Sequence, residues 1–244
     1  MKIAITSRTL SNRPTFVEIL NKYFDEVRLN NSSSLRDDDL IKFLDGCECV
    51  VLGTEPLHEK IIDNTNLKVV FKYGVGSDNI DFNACEKNRI QVFSKKGTNS
   101  DSVAEITLSY IIQLLRNQHI SFASARNGVW NKQTGKELGD SKIGILGLGN
   151  VGKSVFSKIR AISSKAEVVF NDMISQEDYA GYEDLETMFK TCDLITIHID
   201  NEDLSNKNFI DHRLLSMMKD GSYLVNTARG SVVNYNSLRR HLDR

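Results

Sequence analysis

Three glycines and an aspartate carry the chemistry that is most legible in this sequence. Gly147, Gly149 and Gly152 stand in Lys142-Ile143-Gly144-Ile145-Leu146-Gly147-Leu148-Gly149-Asn150-Val151-Gly152, and Asp172 follows Gly152 by 20 residues, closing the stretch Glu167-Val168-Val169-Phe170-Asn171. An apolar strand, a G-x-G-x-x-G turn, a helix and a second strand ending in an acid form the dinucleotide-binding fingerprint in the context it requires. Gly147 permits the tight turn, Gly149 lets the backbone approach a pyrophosphate, and Gly152 allows the helix to pack closely on the strand. The N–H groups that open the helix, at Asn150 and Val151, face the anion. Asp172 is expected to accept hydrogen bonds from the adenosine ribose. The same carboxylate repels a 2′-phosphate and no Arg follows it in Met173-Ile174-Ser175, so NAD is favoured over NADP.

Two further segments follow apolar runs. Arg229 lies in Val225-Asn226-Thr227-Ala228-Arg229-Gly230-Ser231, just beyond a strand's carboxyl end, where open α/β sheets place ligands. A guanidinium there can bind a carboxylate bidentately, and a structural or solvated ion pair is the competing explanation. The glycines of Tyr73-Gly74-Val75-Gly76-Ser77 can present backbone N–H groups to an anion, although glycine after a strand more often simply makes a turn.

The elements that must position these residues alternate. Lys2 to Thr6, Glu26 to Leu29, Glu48 to Gly53, Val69 to Tyr73 and Ile90 to Phe93 read as strands, with helices over Thr15 to Tyr23, Asp37 to Leu44, Glu59 to Asn64 and Phe82 to Asn88. One long helical pattern, about Ser102 to Gly128, leads into strands at Lys142 to Leu146, Glu167 to Asn171, Asp193 to His198 and Tyr223 to Asn226. The expected class is α/β with two parallel-sheet domains, over residues 1–97 and 98–244. At 244 residues, 40% hydrophobic, the chain can bury one large or two medium cores. A net charge of -1 gives no electrostatic reason for a nucleic-acid or membrane partner, and no apolar run reaches membrane-spanning length. A cytoplasmic location is the default expectation. Cys47, Cys49, Cys85 and Cys192 lack a paired ligand spacing, so they read as reduced packing residues, and no metal site is expected.

Taken in order, the segments resemble a known family. Lys72 to Asp81, Asn99-Ser100-Asp101-Ser102-Val103-Ala104-Glu105, Gly128-Val129-Trp130, Gly135 to Leu138, the glycine fingerprint, Asp193 to His198 and Asn226 to Gly230 are similar to the D-isomer-specific 2-hydroxyacid dehydrogenases, including the phosphoglycerate dehydrogenase-like enzymes. The resemblance covers essentially the whole chain. It implies a flavodoxin-like substrate domain followed by a Rossmann NAD-binding domain, with the active site in the cleft between, and hydride transfer between NAD(H) and a small 2-hydroxy or 2-keto acid. By the same resemblance the backbone of Val75 and Gly76 binds the substrate carboxylate with Asn99 nearby. Arg229 binds carboxylate and keto oxygen, and His198, Thr227 and Ala228 lie against the cofactor.

The resemblance also sets departures. The family continues past the position of Leu242-Asp243-Arg244, through a glutamate, a proton-donating histidine and a closing helix. The alternative expectation is therefore a catalytically impaired, truncated relative that acts as a ligand-binding or interaction subunit. His58, His119, His212 and His241 read as surface or helix residues, although a partner protomer could donate His58 or His119. Where the family has a proline-containing segment this chain reads Ile199-Asp200-Asn201-Glu202-Asp203, an acidic stretch expected to be a solvated loop. An uncovered Tyr223 to Asn226 edge calls for self-association, a partner chain or a terminal helix from Tyr235 to Leu242, and a homo-oligomer is expected.

Overall fold

The structure, a computed structural model, describes residues 1–32, 35–173, 180–201 and 204–242. The chain divides into two compact units, Met1–Thr98 and Asn99–Arg244.

The first unit runs β1 (Lys2–Ile5), α1 (Arg8–Ser11), α2 (Pro14–Leu20), β2 (Glu26–Leu29), α3 (Asp37–Leu44), β3 (Cys49–Leu52), α4 (Glu59–Asp63), β4 (Val69–Lys72), α5 (Phe82–Lys87) and β5 (Gln91–Phe93). Its five strands are all parallel in the order β2-β1-β3-β4-β5, the flavodoxin-like winding. Alternation along the strands divides the core. Ile3, Ile5, Cys49 and Val51 pack on one face with Leu10, while Ala4, Val50 and Leu52 pack on the other with Leu40 and Leu44. One helix was not anticipated: α1 is a single turn, capped by the Ser7 hydroxyl accepting the Leu10 N–H. The expected Thr15 to Tyr23 helix starts one residue earlier, at Pro14, whose fixed φ suits a first helical position.

The second unit runs α6 (Ser100–Leu115), α7 (Gln118–Arg126), β6 (Lys142–Leu146), α8 (Asn150–Ile162), β7 (Glu167–Asn171), α9 (Leu185–Thr191), β8 (Leu194–Ile197), α10 (His212–Met217), β9 (Tyr223–Asn226) and α11 (Tyr235–Leu242). The single helix expected over Ser102 to Gly128 is two helices. Asn117 sits at φ 51°, a left-handed conformation that Asn tolerates, and its side chain donates to Thr134 O while accepting the Tyr223 hydroxyl. The strands are parallel in the order β7-β6-β8-β9, and Tyr182 adds a one-residue parallel bridge to Phe170 of β7. Together they trace the 3-2-1-4-5 part of the Rossmann order. Helices cover both faces: Ile143 and Ile145 pack with Val155 and Ile159, while Leu146, Ile195 and Ile197 pack with Met188, Phe189 and Leu214.

Asp193, just before β8, works against its burial. The Lys219 ammonium at 2.6 Å, the Lys142 N–H and Lys136 hold its carboxyl down at about 2, anchoring the amino end of the sheet. All four cysteines are buried and unpaired, and burial pushes the Cys192 thiol up to about 12, so none is a nucleophile at neutral pH. Beside β9, α11 packs on α10 and places Leu238 against the core. A groove of about 540 Å³, lined by Leu114, Met218, Leu224 and Leu242, remains open there. No helix among the described residues is long and apolar enough to cross a membrane.

Candidate active site

The glycine turn is built by contacts that only glycine permits. Gly147 leaves β6 at φ +93°, and a Cβ on it would lie 2.8 Å from the His198 carbonyl carbon, so its absence lets the ends of β6 and β8 close together. A Cβ on Gly152 would lie 2.0 Å from Gly147 O, backbone that cannot yield. Gly149 differs: nothing lies within 4 Å of its Cβ position, so its outer face is open to a ligand. It is also the N-cap of α8 without a side-chain capping bond, which leaves the helix to present N–H groups at its first turn. Asn150 is exposed there, and Val151 is half-buried against the core. Asp172 leaves β7 half-buried, and its Oδ2 accepts the Leu148 N–H at 2.6 Å, tying the acid to the glycine turn. An open N-terminus, a glycine cradle and a tethered carboxylate fit a dinucleotide. Gly152→Ala is expected to cost about 2 kcal/mol of stability through overpacking against backbone and to weaken NADH binding with it, read by thermal melting and fluorescence titration; an unchanged melting temperature would refute the packing argument.

His198 follows β8 at the same sheet end, with its N–H on Leu146 O and its Nε2 3.0 Å from the hydroxyl of the fully buried Thr196. Burial lowers its pKa to about 4, so the imidazole is neutral at physiological pH and adds no charge beside the glycine turn. The next segment is not simply a solvated loop. Ile199 and Asn201 are buried, Asn201 donates to Ser231 Oγ at 2.6 Å and accepts the Asn206 N–H, and Asn206 donates to Asp200 O. Asp200 is exposed, while Glu202 and Asp203 lie outside the described residues, as do Ile174 and Ser175.

Arg229 is half-buried beyond β9, in a turn organised by a residue the sequence reading passed over. Asn226 Oδ1 accepts the Ala228 N–H and its Nδ2 donates to Arg229 O, both at 3.0 Å, closing an Asx-type turn around Thr227 and Ala228. Thr107 was also missed. Its hydroxyl donates to Val103 O, so at 2.8 Å it accepts from Thr227, and the Thr227 proton points into α6. An Asn closing an apolar strand was a legible signal for the turn, whereas a Thr on a distant helix carried none.

In the first unit Val75 and Gly76 are half-buried in the loop after β4. That loop is tied to the end of β3: Asn79 Nδ2 donates to Gly53 O and to Glu55 O, and the Lys72 ammonium donates to Gly53 O and Tyr73 O. In the second unit Asn99 is the N-cap of α6 but makes no side-chain capping bond. Its neighbour Ser100 is buried, and the Ser100 hydroxyl is the only buried side-chain polar atom among the described residues without a hydrogen-bond partner. An orphaned hydroxyl beside an uncommitted Asn at a helix start suits a polar ligand.

Comparison with known proteins decides the family. Residues 108–244 match the sequence model of the D-isomer specific 2-hydroxyacid dehydrogenase NAD binding domain. A hydroxypyruvate reductase of Thermotoga maritima is 30% identical over 225 residues, spanning 90% of this chain and 72% of the relative. The chain belongs to the D-isomer specific 2-hydroxyacid dehydrogenases. As a family member it is of the NAD-dependent dehydrogenase type, with NAD as its cofactor. The D-3-phosphoglycerate dehydrogenase of Rattus norvegicus is 31% identical over 224 residues, 88% of this chain, which spans only 42% of that longer dehydrogenase. Among solved structures, the TT0316 protein from Thermus thermophilus superposes with a TM-score of 0.89 at 25% identity, covering 100% of this chain and 78% of the other. The NAD+-bound 3-phosphoglycerate dehydrogenase of Entamoeba histolytica, at 24% identity and a TM-score of 0.82, covers 100% of this chain and 76% of its own and shares the fold.

Proposed function

We propose that this dehydrogenase interconverts a small 2-keto acid and its D-2-hydroxy acid, with residues 1–97 as substrate domain and 98–244 as nucleotide domain. NAD, when bound, supplies or accepts the hydride. The chain's own residues bind and orient. Gly147, Gly149, Asn150, Val151 and Gly152 offer the pyrophosphate an open backbone cradle, Asp172 takes the ribose hydroxyls, and neutral His198 with Thr227 and Ala228 borders the cofactor. In the first unit the Val75 and Gly76 N–H groups are suited to bind a substrate carboxylate. In the second, Asn99 is suited to a polar substrate group, and Arg229 to pairing with a carboxylate and stabilising charge developing on a carbonyl oxygen.

The observation that carries this reading is that the Gly149 cradle and the Asn226-organised Arg229 turn leave the same sheet at its carboxyl end. The test is NADH oxidation by purified protein against a panel of 2-keto acids at high enzyme concentration. Turnover of at least one acid is expected; saturable NADH binding with no turnover would defeat the activity while leaving the cofactor site standing.

We also place the protein in the cytoplasm as a homo-oligomer. Support for association is the exposed apolar surface of the second unit: α7 buries none of its residues, and Phe122 and Trp130 are 57% and 91% exposed. Sedimentation is expected to show a species heavier than the 27.5 kDa protomer, and a protomer-sized species at micromolar concentration would refute it.

A further inference from the structure

Alternation along β8 sends its side chains to two faces of the second sheet. Ile195 and Ile197 pack with Met188 and Phe189, whereas Leu194 packs on the other face with Val155 and Ile159 of α8. Thr196 shares the face of Leu194, and its hydroxyl meets the His198 ring, which brings His198 to the α8 side at the carboxyl end of the strand. There the order β7-β6-β8-β9 reverses between β6 and β8, the crevice where open α/β sheets take ligands. The backbone of His198 touches the glycine turn. A Cβ on Gly147 would lie 2.8 Å from the His198 carbonyl carbon, and the His198 N–H donates to Leu146 O at 2.7 Å. His198 therefore stands beside the turn that leads into α8, a helix whose start has no side-chain cap.

Burial decides the direction of the hydrogen bond between the two side chains. Thr196 is fully buried, and among the described residues its hydroxyl has one partner, His198 Nε2 at 3.0 Å. Were the ring proton on Nε2, the hydroxyl would have to accept it, and its own proton would be left without an acceptor in a dry interior, which is costly. Thr196 therefore donates and Nε2 accepts. Burial lowers the His198 pKa to about 4, so the ring is neutral and carries a single proton, which then sits on Nδ1. Nδ1 has no hydrogen-bond partner among the described residues, and their only buried side-chain polar atom without one is the Ser100 hydroxyl, so Nδ1 is open to the surface.

We infer that Thr196 is a positioning residue that holds His198 in its Nδ1–H tautomer, and that His198 presents this N–H as an uncharged donor to the pyrophosphate of the bound dinucleotide. An N–H aimed at an ionised phosphate makes the stronger, charge-assisted kind of hydrogen bond, and it adds to the N–H groups at the start of α8. The inference rests on the reading in which the Gly147 to Gly152 cradle takes the pyrophosphate.

The test begins with nitrogen NMR of the histidine rings in the wild type without cofactor, the His198 signals being identified by their loss in His198→Phe. Nδ1 is expected to carry the proton and Nε2 to accept; a proton on Nε2 overturns the role of Thr196. Thr196→Val keeps the shape and removes the hydroxyl. It is expected to let the proton move to Nε2 in part of the molecules and to weaken NADH binding at least about threefold in fluorescence titration, with His198→Phe weakening it about tenfold and Thr196→Ser restoring both tautomer and affinity. An unchanged tautomer and affinity in Thr196→Val overturns the inference. Melting temperatures establish that the variants are folded, and where Thr196→Val is not, the wild-type spectrum and His198→Phe decide. ADP, which has two phosphates but neither nicotinamide nor its ribose, is expected to lose the same factor as NADH in Thr196→Val; a loss confined to NADH overturns the assignment to the pyrophosphate. Absence of saturable NADH binding by the wild type overturns the cradle reading and this inference together.

Discussion

Arg229→Ala is expected to lower kcat/KM for 2-keto acids by about 10²–10³-fold, the cost typical of removing one preorganised donor from a developing oxyanion. Hydride transfer needs the carbonyl carbon held in register and the carbonyl oxygen stabilised as charge grows, and a guanidinium at a fixed turn can do both. The turn should survive the change. Asn226 bonds the Ala228 N–H and the Arg229 carbonyl, which are backbone groups, so truncating the arginine side chain leaves the turn closed. NADH affinity is therefore expected to stay within about twofold, because the lost group pairs with the substrate rather than with the cofactor. Arg229→Lys keeps the charge but not the planar fork and should recover only part of the loss. Equal kcat/KM for wild type and Arg229→Ala would remove Arg229 from the site.

For Asp172→Ala the expected result is a loss of about 100-fold in NADH affinity, corresponding to two charge-assisted hydrogen bonds to ribose at about 1.5 kcal/mol each. Discrimination against NADPH should shrink at the same time, since the carboxylate that repels a 2′-phosphate is gone. Part of the effect is structural, because Asp172 Oδ2 also holds the Leu148 N–H of the glycine turn. Asp172→Asn separates the two roles. Its side-chain oxygen can still accept from Leu148, so the melting temperature should stay near wild type while the cofactor preference shifts. Fluorescence titration with NADH and NADPH decides the matter: unchanged affinities for both would mean that the acid does not face the ribose.

The position of the nucleotide cradle was readable from glycine spacing because each glycine answers to a local constraint. Gly147 needs a positive φ, Gly152 must approach Gly147 O, and Gly149 must leave an open face; these demands fall within one strand–turn–helix unit, where spacing in the chain is spacing in space. The strands were legible for a similar reason. Runs such as Cys49–Leu52 are apolar throughout because a parallel strand is covered on both faces. The break at Asn117 was hidden, since the residues on both sides favour helix and the partners that hold the left-handed turn, Thr134 and Tyr223, are remote in sequence.

By itself the sequence determined the α/β class, the glycine turn with its acid, and the strand end that carries Arg229, all of which depend on side-chain periodicity and on conformations accessible to single residues. Tertiary structure alone decided that Thr227 donates into α6, that Ser100 is left with an orphaned hydroxyl, and that His198 is neutral. Hydrogen-bond direction, burial and the pKa shifts that follow from it are properties of groups brought together from distant parts of the chain, and no local pattern encodes them.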